Sequence, residues 1–162
     1  LLDHYKEFDF IWSSPPCPSH SRMTLSQKTT VNFTPKFPDI KLYEEIIFLD
    51  NFFDGKYVVE NVIPYYQPLI NAKKRHRHLY WTNFMLPNIL SERVFEGKFS
   101  KMKNERAYLE KWHEIDISTY KGKQDKRKIA RNLVDYEAGK TILDTVLGIR
   151  RKENIKQTEL FV

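Results

Sequence analysis

The sequence predicts an α/β fold. A short apolar strand at Phe8 to Trp12, an amphipathic helical repeat at Asp39 to Phe53 and a second apolar strand at Tyr57 to Val62 follow one another. That order implies a parallel strand pair joined by a right-handed crossover.

Taken in order, Leu1 to Lys6 reads as the end of a helix and Phe8-Asp9-Phe10-Ile11-Trp12 as a short buried strand ending at Ser13-Ser14. Pro15-Pro16-Cys17-Pro18 then forbids regular structure. Ser19 to Phe37 is rich in Ser, Thr and Pro with little periodicity, which predicts a long loop of the kind that is usually functional or mobile. The segment that follows carries Ile40, Tyr43, Ile46, Ile47 and Phe53 at a helical repeat, with Asp39 placed to cap its start and Asp54-Gly55 to end it. Tyr57 to Val62 is β-branched and apolar apart from Glu60-Asn61, as a central strand should be. Leu69-Ile70 and His78 to Phe84 read as two further strands joined by a basic turn at Lys73 to Arg77, an antiparallel hairpin at the sheet edge.

Residues 1–86 are therefore read as a catalytic α/β core. Residues 87–126, polar and helical only around Asn104 to Trp112, are read as a small inserted recognition or linker region. Residues 127–162 are read as a C-terminal helix returning to the core, with a repeat through Ile129, Leu133, Ile142, Leu143 and Val146 and a stop at Gly148.

Composition narrows the function classes. The chain has 162 residues, enough for one sizeable core, and no apolar run long enough for a bilayer. Leu1 to Phe10 is not a secretory leader, so a soluble cytoplasmic protein is expected. A single cysteine excludes internal disulfides and cysteine-rich zinc sites, and no metal site is expected. The net charge is +6, and clusters at Lys73 to Arg77 and Lys121 to Arg131 favour a polyanionic partner.

Two residues stand out as chemistry. Ser14-Pro15-Pro16-Cys17 puts a thiol just beyond the carboxyl end of a strand, the edge where open α/β sheets place ligands. A lone cysteine is usually a small buried hydrophobe, but three prolines and several serines are a poor core environment. Glu60 lies near the end of the next strand, where apolar neighbours disfavour the charged form, and such a carboxyl can donate a proton at neutral pH. The competing reading makes Glu60 a structural ion pair with an Arg. If both groups are functional, adjacent parallel strands bring them to one rim of the sheet, close enough to grip one planar ring.

Pro16-Cys17-Pro18-Ser19-His20-Ser21 resembles the Pro-Cys-Gln-x-Phe-Ser nucleophile motif of DNA cytosine-5 methyltransferases, and Glu60-Asn61-Val62 matches that family's Glu-Asn-Val motif. Lys73 to Arg77 is similar to its Gln-x-Arg-x-Arg element, with Lys73 in the Gln position. Arg131-Asn132-Leu133-Val134 is similar to its closing Gly-Asn-x-Val element. The resemblance implies a Rossmann-like, S-adenosylmethionine-dependent methyltransferase fold, incomplete at its N-terminus. It implies that a cytosine is turned out of double-stranded DNA, that the Cys17 thiolate adds to ring carbon 6, and that protonated Glu60 stabilises charge at ring nitrogen 3. Carbon 5 then takes a methyl group from S-adenosylmethionine. Arg75 or Arg77 would hold the base or its phosphate. Pro16, Ser19, Ser21, Asn61, Val62 and Lys73 fall on the DNA side of the matched motifs, and Pro15, Asn132 and Val134 on the cofactor side. The family setting is the cytoplasm of a bacterial or phage-infected cell, at the nucleoid, in restriction-modification.

The sequence departs from the family at Pro18 and His20. It also lacks the glycine-rich turn after a first strand, and the acid after a second, that hold the cofactor. This points to a partner subunit or to upstream residues that supply the cofactor site. Two alternatives stand beside the enzyme: an inactive or split fragment that serves as a DNA-binding subunit, and a thiol hydrolase in which His20 is the base for Cys17.

Overall fold

The computed structural model describes residues 1–29, 32–93 and 104–149. They form two compact units, Leu1–Asn88 and Ile89–Val162. The segments that the sequence separates at 126 thus share the second unit, and parts of both, 94–103 and 150–162, lie outside the described residues.

The first unit is mixed α/β. A 3-10 turn at Tyr5–Glu7 stands where a helix end was expected, and β1 spans Phe10–Ser13. The long loop is not featureless: a one-turn helix, α1 at Met23–Ser26, and a 3-10 turn at Gln27–Thr29 interrupt it. Helix α2 covers Lys41–Phe52. The N-cap is Ile40, one residue later than the Asp39 expected, and Asp39 accepts from the Lys41 N–H at 3.1 Å from the position before it. Strand β2 covers Lys56–Val62, β3 Lys73–Arg75 and β4 His78–Thr82.

The sheet order is β1-β2-β4-β3, with β1 parallel to β2 and the other pairs antiparallel. Strand β2 is central and buried on both faces; β1 is an edge strand and only half-buried, which corrects the expectation of a buried strand. The hairpin is also differently built. Its first strand is the basic run Lys73–Arg75, not Leu69-Ile70, and only His76-Arg77 make the turn. His76 takes the left-handed conformation (φ 48°) that such a two-residue loop normally gives to Gly or Asn.

Strand alternation sorts the side chains. Tyr57, Val59, Leu79 and Trp81 meet Leu42, Tyr43, Ile46 and Leu49 of α2 in one core, and each fully buried Leu or Val contributes roughly 1.5–3 kcal/mol. The opposite face carries Val58, Glu60, His78 and Tyr80. Gly55 at the start of β2 is required by packing, because a Cβ there would sit 2.5 Å from the Asp9 carbonyl oxygen.

The second unit is helical where described: α3 at Glu105–His113, α4 at Lys126–Asn132 and α5 at Tyr136–Val146. The single C-terminal helix expected from the sequence is two helices, because Asp135 caps a new start by accepting from the Glu137 N–H. Gly148 (φ 68°) ends α5, with the Ile149 N–H donating to Asp144 O and the Gly148 N–H to Thr145 O. Arg131 holds Glu105 through two bonds of 2.6 Å. Arg93 lies over the rings of Trp112 and Tyr136, 4.5 Å from each centre, and pairs with Asp135. No helix among the described residues is long and apolar enough to cross a membrane.

Candidate active site

The parallel register that sets Ser13 beside Val59 carries the chain on so that Ser14 meets Glu60. The Ser14 hydroxyl donates to Glu60 Oε2 at 2.9 Å and accepts from the Trp12 indole N–H at 3.0 Å. One residue further, Asn61 points to the other face and its Nδ2 donates to the Pro15 carbonyl at 3.0 Å, while its Oδ1 accepts from the Val62 N–H at 2.9 Å. Two consecutive residues of β2 thus clamp the two residues that lead into Pro16 and Cys17.

Beyond the clamp the chain turns tightly. The Cys17 carbonyl accepts from the N–H groups of His20 and Ser21, both at 3.0 Å. Ser19 Oγ accepts from the Asp39 N–H at the start of α2, and Ser21 forms a bridge with Pro64 just after β2. Cys17 is half-buried. Burial pushes its thiol up, a backbone hydrogen bond partly offsets this, and the Glu60 carboxylate adds to the rise.

The second oxygen of Glu60, Oε1, lies 3.4 Å from His78 Nε2. This replaces the Arg ion pair weighed from sequence. Burial is the main cause holding the His78 imidazole below its ordinary range, with Arg77 and His76 acting in the same sense and Glu60 against them. Neither Ser14 nor His78 was singled out from sequence as a site residue. Ser14 was legible as the residue one step past the strand end, as Glu60 is near its own. His78 needed the β2–β4 register.

The basic residues divide. Arg75 is spent on structure: its Nε donates to Pro87 O, Nη1 to Lys74 O, and Nη2 to Leu86 O and Asn88 Oδ1. Lys73 Nζ donates to Thr82 Oγ1 and Phe84 O. Both serve to hold the segment after β4, which weighs against the DNA contact read for Lys73 and the base contact read for Arg75. Arg77 is exposed at the turn, close enough for its charge to act on His78. Val62 ends β2, and Pro16 is exposed beside the thiol.

His20 does not serve Cys17 as a base. Its Nδ1 lies 2.6 Å from the Tyr66 hydroxyl, which also accepts from the Tyr43 hydroxyl. The His20 Nε2 is buried without a partner among the described residues. A cleft of about 270 Å3 lined by Arg22, Ile63, Tyr66, Gln67, Asn71 and Leu79 opens beside this network, on the α2 face of the sheet and away from Glu60.

The residues on the cofactor side of the matched motifs are Pro15, Asn132 and Val134. The Pro15 carbonyl is already engaged by Asn61, and the glycine that opens β2 is closed off by Asp9. Asn132 is the exposed last residue of α4, and Val134 lies exposed between α4 and α5 of the second unit. Among the described residues no group of three or more His, Cys, Asp or Glu is arranged to hold a metal.

Comparison with protein-family models, with curated proteins and with solved structures returns no match to this chain.

Proposed function

We propose that this chain carries the cytosine-engaging part of a DNA cytosine-5 methyltransferase of Rossmann-like fold, with Cys17 as nucleophile and Glu60 as proton donor. The observation that carries the reading is the clamp between β1 and β2, in which Glu60 and Asn61 bond the two residues that lead into the proline-framed Cys17.

In this reading a cytosine is turned out of double-stranded DNA, since its ring carbons cannot be reached inside the stack. The Cys17 thiol loses its proton to water and sulfur bonds to carbon 6, while protonated Glu60 gives its proton to nitrogen 3. A proton on Glu60 also removes the carboxylate charge that pushes the thiol up. Carbon 5 becomes nucleophilic, and in the full reaction S-adenosylmethionine supplies the methyl group it takes. In this reading a partner subunit supplies the site for that donor.

The test needs no cofactor. Addition at carbon 6 lets carbon 5 take a proton from water and lose its own, after which sulfur leaves; DNA tritiated at cytosine carbon 5 then releases tritium. We expect release by the native chain, none by Cys17→Ala, and a rate lower by about 100-fold or more for Glu60→Gln. Release by Cys17→Ala at the native rate refutes the assignment. The runner-up, a DNA-binding subunit without chemistry, draws on the exposed cations Lys121, Lys123, Arg127 and Lys128. It predicts salt-sensitive DNA retention and no release.

A further inference from the structure

Glu60 has one oxygen fixed and one in reach of a titratable ring. Oε2 is held by Ser14, whereas Oε1 faces His78 Nε2 at 3.4 Å. The carboxyl side chain is 11% exposed and the imidazole 41%, so the ring bridges a buried acid and solvent. Such a contact can shorten to a hydrogen bond when substrate closes the site.

The other groups facing this pair are accounted for. Cys17 approaches from the loop after β1, His76 and Arg77 from the turn, and Tyr80 on β4 packs edge-on to the His78 ring at 6.5 Å. On β3, Arg75 pairs in register with His78 and Lys73 with Tyr80, but their cationic heads are bound to Pro87 O, Leu86 O, Thr82 Oγ1 and Phe84 O. His78 is the titratable group that lies 3.4 Å from Glu60 Oε1, the oxygen that Ser14 does not hold.

We propose that His78 is a positioning residue that holds Glu60 Oε1 and relays protons between that carboxyl group and solvent. This rests on the reading of Glu60 as proton donor. When Glu60 gives its proton to the cytosine ring, the imidazolium form of His78 hands its Nε2 proton to Oε1. The ring is then neutral with its remaining proton on Nδ1, and it returns to imidazolium by taking a proton from solvent at the vacated Nε2. In the reverse direction Nε2 accepts the carboxyl proton, and the net proton count is unchanged.

The experiment follows the His78 ring by NMR through a pH titration in the native chain and in Glu60→Gln, then measures tritium release by His78→Ala with and without added imidazole. Because the Glu60 charge favours imidazolium, the His78 midpoint is expected to fall in Glu60→Gln. Release by His78→Ala is expected to drop about 10-fold or more, to lose the native pH dependence, and to recover with imidazole. A His78 midpoint indifferent to Glu60→Gln overturns the relay, as does an unaltered pH profile in a folded His78→Ala. A native chain that shows the coupled midpoint but releases no tritium sinks the enzymatic reading and the relay with it, and the intact coupling tells that failure from the first.

Discussion

Replacing Asn61 by alanine removes the strut that ties the Cys17 loop to β2. The side chain is 2% exposed and makes two bonds, Nδ2 to Pro15 O at 3.0 Å and Oδ1 from Val62 N–H at 2.9 Å. Two net hydrogen bonds of about 1 kcal/mol each, together with about 1–2 kcal/mol for leaving one buried backbone group unpaired, give a loss of about 3–4 kcal/mol. With a urea slope of about 1–3 kcal/mol per molar for a unit of this size, the midpoint should fall by about 1–2 M. Trp12 and Trp81 report on the first unit, so urea unfolding followed by tryptophan fluorescence in a Trp112→Phe background isolates it. The same variant frees Pro15 and should speed alkylation of Cys17 by iodoacetamide below the unfolding transition. A midpoint within error of the native one, with unchanged alkylation, would refute the claim that Asn61 fixes the nucleophile loop.

Cys17 itself carries a signed pH prediction. The Glu60 charge raises the thiol, so Glu60→Gln should lower its titration midpoint, put more thiolate at any pH below it, and accelerate alkylation as read by mass spectrometry. Alkylation no faster than native would mean that the two groups do not share a site. Arg75→Ala should unfold at lower temperature, because four bonds to the chain are lost, yet leave the dependence of DNA affinity on salt unchanged. A salt slope smaller by about one would instead place that guanidinium on a phosphate.

Much of the first unit was legible because its signals are local. Period-2 and period-3.6 apolar patterns mark β1, α2, β2 and β4, and Asp39 bonds the first N–H of α2 from one residue before its cap. The misreadings share a cause. Lys73–Arg75 looks like a solvated turn, but long cationic side chains can lie along an edge strand and spend their donors on carbonyls of a neighbouring segment. Likewise, one apolar repeat runs through Leu133 to Asp135, and only the capping geometry of Asp135 breaks it into two helices.

By itself, then, the sequence determined the strand-helix-strand order, the proline frame around Cys17 and the presence of a carboxyl group near the end of the following strand. The tertiary structure decided who touches whom at that rim. Ser14, Pro15 and His78 reach Glu60 and Asn61 through strand register, and His20 turns to Tyr66 instead of Cys17. Register is a pairing of segments distant in the chain, fixed by which faces the whole sheet buries, and no local pattern carries it.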